Sequence, residues 1–338
     1  MPTPRLSLAA ALVALVTLGL LSLGHPTSAQ AEEYSLTFRS VAPEGTPWAD
    51  QLNRLKKQWE KESGGRLKVK VILGRGNETA LVRQCKAGEI QAVGVSTSAM
   101  LDDAPEMGVF ELPFLFKDYA QADNVIDNVL FASVEKLLQD YGFQLFIFSE
   151  NGFRNYAAKG KFVKTPADLA TLKMRSQENW IHMETYRALG GNPVSVSVAE
   201  VLTSLSTGQT DGFDNTALFA FAASWYTKID HWTISDHIYQ PAAIVFNKAW
   251  FDGLPDDIKK MLLSGRKTET VNGRAAIRKL APALLKNLEG KGVKMYKLTD
   301  AEKEAFRTKT KSVHAQFRTK KGCAKCGKIL DLVEKNIK

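Results

Sequence analysis

Cysteine is scarce in this chain: only Cys85, Cys323 and Cys326 occur in 338 residues. That is too few for a small fold held by disulfides. Histidine is scarce too, at positions 25, 182, 231, 237 and 314. There is no G-x-S-x-G elbow, no H-E-x-x-H helix and no G-x-x-x-x-G-K-[ST] phosphate loop. A triad assembled from residues distant in sequence stays open, but no local motif argues for catalysis. Cys323 and Cys326 form C-x-x-C. Zinc would need two more ligands, with only His314 nearby, and no strand precedes the pair as a thioredoxin-like unit requires. In an oxidising compartment the pair closes a local disulfide. Cys85, in an apolar helical stretch, reads as a packing residue, and His231 and His237 as structural. No metal and no cofactor is expected. Acids are absent from residues 306–328, which are rich in Lys and Arg. A basic run of this kind is usually a solvated face, and no nucleic-acid recognition motif accompanies it.

Long apolar runs are absent as well, except at the start. Arg5 precedes the apolar stretch "LSLAAALVALVTLGLLSLG", and Ala29-Gln30-Ala31 is a small-x-small cleavage signal. Residues 1–31 therefore read as a cleaved secretory signal peptide. The protein is then expected free in the periplasm, with 307 residues and a formal charge of +8 once Arg5 is removed from the total of +9. No later stretch approaches the roughly 20 apolar residues of a membrane span.

Beyond residue 31 the chain alternates between two periods. "YSLTFRSV" has the two-residue period of a strand. Trp48, Leu52, Leu55 and Trp59 have helical spacing, opened by Pro47 and ended by Gly64-Gly65. "RLKVKVILG", "NETALVRQCKAGE" and "IQAVGVST" continue as strand, helix and strand. This is an α/β unit with a mainly parallel sheet. "FQLFIFSENG" reads as an apolar strand ending at Asn-Gly. A second strand-helix-strand set runs from "TPADLATLKMRSQ" to "GQTDGFDNT". After the strand pattern of "IYQPAAIVFNKAWFDGLP" come long helices over about 255–290 and 300–337. The chain crosses between the modules near Asn151 and near Gln240, which implies a hinge and a cleft suited to a small ligand.

Ligands of open α/β sheets bind beyond the carboxyl ends of the strands. Arg154 and Arg175 both lie at such ends by this reading. A guanidinium cannot shed its charge in a protein and presents a planar fork matched to a carboxylate. The plainer alternative for each is a structural ion pair or a solvated strand end. In "DGFDNT" (211–216), Asp214 and Asn215 can offer a carboxylate and an amide to a ligand, or form an ordinary Asx turn. Trp48, Trp180, Phe219 and Trp225 can wall a pocket or simply fill the core.

Together these segments resemble the extracytoplasmic solute-binding proteins of tripartite ATP-independent periplasmic (TRAP) transporters, the DctP-like group. The resemblance rests on the order of "APEGTPWA", "AGEIQAVGVST", "LPFLF", "NGFRNY", "TPADLATLKMRSQ", "GGNPVSVSVAEVLTSLSTGQTDGFDNT" and "VFNKAWFDGLP". It implies a two-lobed, type II-like periplasmic-binding-protein fold with hinge strands and long C-terminal helices bracing both lobes. Lobe I would comprise 32–151 plus 241–280, and lobe II 152–240 plus 281–338. It implies an organic-acid ligand clamped by Arg175, with Arg154, Asn215, Val198, Trp180 and Phe219 around it, and Trp48 and Glu44 contributed by the first lobe. The partner would be a membrane permease driven by an ion gradient, and the protein a monomer. A ligand-presenting subunit for a sensor, or a periplasmic enzyme acting on an organic acid, are the competing readings. The basic C-terminal segment with its C-x-x-C is not a feature of the group.

Overall fold

The alternating segment 34–41 is strand β1 (Tyr34–Ser40), and the helical stripe after it is α1 (Pro47–Glu62). Thr46 caps α1 by accepting a hydrogen bond from the Ala49 N–H, and Pro47 fills the first turn. Trp48, Leu52, Leu55 and Trp59 form its buried face. Gly64 and Gly65, both at positive φ, turn the chain into β2 (Leu67–Ile72). Helix α2 (Glu78–Lys86) and strand β3 (Ala92–Ser96) complete the first unit. The structure, a computed structural model, describes residues 32–74 and 76–337. The leader expected over residues 1–31 lies outside them.

Beyond β3 come α3 (Tyr119–Asn124), α4 (Phe131–Asp140), β4 (Phe143–Ala158), β5 (Met174–Ser176) and α5 (Trp180–Ala188). Next are β6 (Val194–Ser195), α6 (Val201–Thr207), β7 (Gly212–Asn215), α7 (Ala217–Ala222) and β8 (His231–Asn247). The C-terminal part holds α8 (Lys248–Asp252), α9 (Asp256–Leu263), α10 (Arg266–Gly290), β9 (Lys294–Lys297), α11 (Asp300–Arg318) and α12 (Cys326–Asn336).

All strands join one sheet in the order β2-β1-β3-β8-β4-β7-β5-β6, with β9 beside β8. The flanking pairs are parallel, as the strand-helix alternation predicts. The central pairs β3/β8, β8/β4 and β4/β7 are antiparallel. The reason is the length of β4 and β8. Each serves one lobe with one half and the second lobe with the other: β8 pairs with β3 at 242–246 and with β9 at 231–234. The strand expected to stop at Asn151-Gly152 thus runs on to Ala158. Gly152 sits at φ +104 and register shifts fall at Glu150/Gly152 and Arg154/Tyr156, so the ladder bends instead of ending. Gly152 pairs with Gln240 at this bend.

Apolar side chains cover both faces of the sheet in each lobe, one cluster being centred on Trp59 with Phe38, Phe146 and Phe246. The C-terminal helices differ from two unbroken rods. Ser264-Gly265 separates α9 from α10, and a turn closed by a Cys323–Cys326 disulfide separates α11 from α12. Helix α10 lies against α1, β4 and α7, so it touches both lobes. Helix α11 packs on α5, while α12 packs on the segment 105–130. Cys85 is buried and free, with its thiol pushed up to about 12 by burial.

Behind the hinge, α10 supplies a charge network. Arg278 donates to Glu150 at 2.7 and 2.9 Å and to Asp123 at 2.6 and 2.7 Å. Arg274 forks onto Asp127 at 2.7 and 2.9 Å. Glu150 is fully buried and one of its oxygens has no partner. Burial pushes its carboxyl up to about 7 against the pull of Arg278.

Two outcomes are expected. The folded Glu150 holds its proton up to about pH 7, whereas an unperturbed carboxyl releases it near 4.5. Its contribution to stability is therefore full below pH 4.5 and lost as the pH rises through 7. Urea denaturation of wild type and Glu150→Gln should show the wild type losing about 3 kcal/mol relative to the variant between pH 4 and pH 8. Parallel pH profiles would contradict this. Second, a Cβ on Gly94 of β3 would lie 2.8 Å from two ring carbons of Trp48. Gly94→Ala should destabilise the fold by about 1–3 kcal/mol through overpacking. An unchanged melting temperature would mean that the indole is free to move.

Candidate functional site

The carboxyl ends of β1, β3, β5 and β7 converge on one cleft. Its larger part has about 590 Å³ of space between atoms, some of it open to solvent at the mouth. From the first lobe it is lined by Ser40, Thr46, Trp48, Glu78 and Ser96, and from the second by Gln177, Val198, Asn215 and Phe219. Asn151 and Gln240, on the two hinge strands, line it as well. A smaller adjoining recess shares Glu78, Gln177 and Val198 and adds Arg175, Glu178 and Asn179.

Arg175 sits in the middle of β5, between Val194 of β6 and Phe213 of β7 in register. Its side chain is only 1% exposed. Nε donates to the Val196 carbonyl at 2.8 Å, and the guanidinium lies 5.7 Å from the centre of the Trp225 ring. Nη1 is buried with no hydrogen-bond partner, and Arg175 forms no ion pair among the described residues. Burial, together with the charge of Arg154, lowers the guanidinium to about 10, with Asp214 pulling the other way. A buried cation with an unused donor is costly unless an anion arrives.

Arg154 has the opposite surroundings. It is fully buried in β4, and Nε donates to Asp214 Oδ2 at 2.6 Å. It also donates to the Asp214 carbonyl, to Gln240 Oε1 at 2.8 Å and to Asn215 Oδ1 at 3.4 Å. Tyr186 completes the Asp214 carboxylate at 2.8 Å. The Asp214 carboxyl is held well below its ordinary range: the Arg154 charge and a hydrogen bond from His237 outweigh burial. Arg154 is thus held in a buried ion pair behind the cleft and lines neither part of it, where it was expected to face the ligand. Its distance in sequence from Asp214 hides this pairing.

Of the other expected residues, Asn215, Val198, Trp48 and Phe219 do line the cleft. Asn215 Oδ1 is occupied by the Thr216 N–H at 2.8 Å and by Arg154, which leaves its amide hydrogens for a ligand. The Trp48 Nε1–H is buried without a partner. Trp180 and Glu44 line neither part. Trp180 is the first residue of α5 and its ring lies beneath Lys320 Nζ at 4.2 Å, and Glu44 is exposed on the loop before α1. His237 stacks on Tyr156 at 4.1 Å and His231 meets Asp230 at 2.8 Å, both structural as expected.

Sequence reading missed Glu78, Ser96, Gln177, Asn151 and Gln240. Glu78 opens α2 and accepts from the Ser96 N–H at 2.8 Å and the Ser96 hydroxyl at 2.7 Å. Burial raises its carboxyl, with the Ser96 hydrogen bonds opposing. Gln240 donates to Glu111 at 2.7 Å and Gln177 at 2.8 Å, and His182 meets Glu111 at 2.8 Å. The signal for Glu78 and Ser96 was available: both follow the carboxyl ends of first-lobe strands. Among the described residues no helix is long and apolar enough to cross a membrane.

Comparison with known proteins agrees with this geometry. Residues 38–321 match the family model described as bacterial extracellular solute-binding protein, family 7. A solute-binding protein of Verminephrobacter eiseniae is 30% identical over 79% of this chain and 80% of its own length. The C4-dicarboxylate-binding periplasmic protein of Rhodobacter capsulatus is 27% identical over 91% and 94%. The solved sugar acid binding protein of Advenella mimigardefordensis, in complex with galactonate, superposes with a TM-score of 0.84 at 26% identity, covering 90% of this chain and 99% of that one. With the two-lobed fold, the cleft at the strand ends and a match over most of its length, the chain belongs to bacterial extracellular solute-binding protein family 7, and a TRAP periplasmic solute-binding protein of Ralstonia eutropha is similar to it at 26% identity with a TM-score of 0.81, covering 89% of this chain and 99% of that one.

Proposed function

We propose that this protein captures an organic acid by its carboxylate at Arg175 and hands it, unaltered, to a TRAP permease in the membrane. The observation that carries the reading is the buried Arg175 guanidinium, which lacks a protein anion and has a free Nη1 beside the recess. The named ligands of the Rhodobacter and Advenella relatives, C4-dicarboxylates and galactonate, are carboxylates. Lobe I, residues 32–151 with 241–280, closes on lobe II by bending at β4 and β8. Asn77 and Glu178, hydrogen-bonded at 2.7 Å, meet at the mouth of the cleft. Closure removes water from around the ion pair and strengthens it. The ligand's polar substituents meet Asn215, Gln177 and Asn151, and Trp48 and Phe219 cover its apolar faces. The protein works in the periplasm after removal of residues 1–31, as a monomer without metal or cofactor.

The two arginines should separate in experiment. A thermal-shift screen of organic acids identifies a ligand, because a molecule that binds only the native state raises its stability. Calorimetric titration should then show Arg175→Ala weakening it by about 30-fold or more. Arg175→Lys should rescue only part, since an ammonium is a point charge. The ligand-free melting temperature of Arg175→Ala should not fall. Arg154→Ala should lower it strongly, by about 3–5 kcal/mol of stability, because it strands the Asp214 carboxylate. Unchanged affinity in Arg175→Ala would remove the basis of this function.

A further inference from the structure

We infer that the protein carries a second small-molecule site, a groove between α11 and α12 that takes an amphipathic monoanion, one carboxylate on an apolar body. The groove lies outside the cleft between the lobes and needs nothing from Arg175. It holds about 890 Å³ of space between atoms, some of it open to solvent. Pro113, Phe114 and Leu115 form its floor. Helix α11 is one wall, and the other is made by Glu334 of α12 and Ile337 just after it.

Helix α11 keeps its faces apart. Phe306, Thr310, Val313 and Phe317 are buried against the protein. Arg307, Lys311, His314 and Arg318 follow at helical spacing on the next face and line the groove. Three of these four are already engaged. Arg318 is paired with Asp331 and Glu334. Arg307 is paired with Glu304 and lies 5.7 Å from the centre of the Phe114 ring. His314 Nε2 meets the Pro113 carbonyl at 2.7 Å, and burial holds the ring below the ordinary imidazole range, so it donates there as a neutral group. Lys311 is exposed and makes no hydrogen bond or ion pair among the described residues. Its ammonium is thus an unpaired cation beside an apolar floor.

That floor is held against its own backbone preference. Phe114 takes φ +54, a region that bulky residues rarely enter. Its N–H donates to the His237 carbonyl at 2.6 Å, and its ring centre lies 6.4 Å from those of His237 and Phe306. Strain that the surroundings hold in place clusters at ligand-binding positions. A fixed apolar floor beside a free ammonium is complementary to a molecule with one negative head and an apolar tail. The head meets Lys311, with Arg307 one turn away, and the tail covers Phe114, Leu115 and Ile337. An acidic peptide fits less well, because Arg307 and Arg318 already have acids. A flat anionic bilayer does not reach Leu115, which is only 6% exposed.

Straight-chain carboxylates from butanoate to decanoate probe head and tail separately. NMR titration of the full mature protein should show octanoate saturating a single site, with each added CH₂ tightening binding by about two- to fourfold. Octanol, which keeps the tail without the charge, should bind about fivefold more weakly. Lys311→Ala should weaken octanoate by about the same factor and leave octanol unchanged. Lys309→Ala, which removes an exposed lysine of α11 that does not line the groove, should stay within about twofold of wild type, because solvent and salt screen a distant charge. Ala315→Trp, at an exposed position in the groove wall, should fill the space and abolish binding at an unchanged melting temperature. Arg175→Ala should bind octanoate as the wild type does. Absence of saturable octanoate binding overturns the inference, as do equal losses in Lys309→Ala and Lys311→Ala or retention in Ala315→Trp. Loss in Arg175→Ala places the anion in the interlobe cleft and overturns it too. Displacement of octanoate by hexaglutamate at lower concentration than by decanoate, or Lys311-dependent co-sedimentation with phosphatidylglycerol vesicles, gives the groove to an acidic peptide or a membrane instead and likewise overturns it.

Discussion

The architecture of the site turns on one imbalance: of two neighbouring buried arginines, Arg154 has an ion-pair partner and Arg175 has none among the described residues. Asp214 is committed to Arg154 by a 2.6 Å contact, with Tyr186 and His237 holding it in place. Arg175 feels the same carboxylate only at longer range, together with the repulsion of Arg154. Burying a cation without an anion is unfavourable, and the fold offsets that cost with a carbonyl at Nε and an aromatic ring nearby. The unfilled part of the demand faces the recess. In the proposed function, a ligand carboxylate supplies the ion-pair partner that Arg175 lacks among the described residues.

The fold makes this tolerable by placing the imbalance where solvent and solute can enter. Strand ends from both lobes meet at the cleft, and Arg175 sits on a strand of only three residues. The two long strands that cross between lobes are bent at bulges rather than broken, so the lobes share one sheet while their strand ends can approach. Helix α10 packs on α1, β4 and α7, and its Arg278 donates two hydrogen bonds to Glu150 at the bend. The bend is thus held by hydrogen bonds from a helix that lines neither part of the cleft.

Much of this was legible in the residues. The period-two and helical stretches mark nearly every element of the first lobe. Arg175, Asn215, Val198, Trp48 and Phe219, expected from strand ends, aromatic placement and family likeness, line the cleft. What was not legible had non-local causes. The role of Arg154 depends on an acid 60 residues away, which no local pattern reports. The continuation of β4 through Asn151-Gly152 depends on a glycine at positive φ, and in sequence that dipeptide reads as a turn. Trp180 follows the Arg175 strand, yet α5 carries its ring outward to Lys320. Glu78 was passed over because a capped helix start explains its presence sufficiently, until Ser96 is seen to hold its carboxylate at the cleft.

The hinge and the ligand site are also one hydrogen-bonded body, and Gln240 is where they join. It lies on β8 and lines the cleft. Its oxygen accepts from Arg154 and its nitrogen donates to both Glu111 and Gln177. Glu111 is also bonded to Thr97, just after β3, and to His182 on α5. Each polar atom of this group is buried, so leaving one unpaired costs about 1–3 kcal/mol. A rotation of the lobes that separates Glu111 from His182 must therefore supply water or new partners to several groups together. The floor of the cleft consequently favours a small number of discrete lobe arrangements over a continuum. In the proposed function, a ligand that bonds Gln177 and pairs with Arg175 adds its weight to the arrangement in which Gln240 holds Glu111 and Gln177 together.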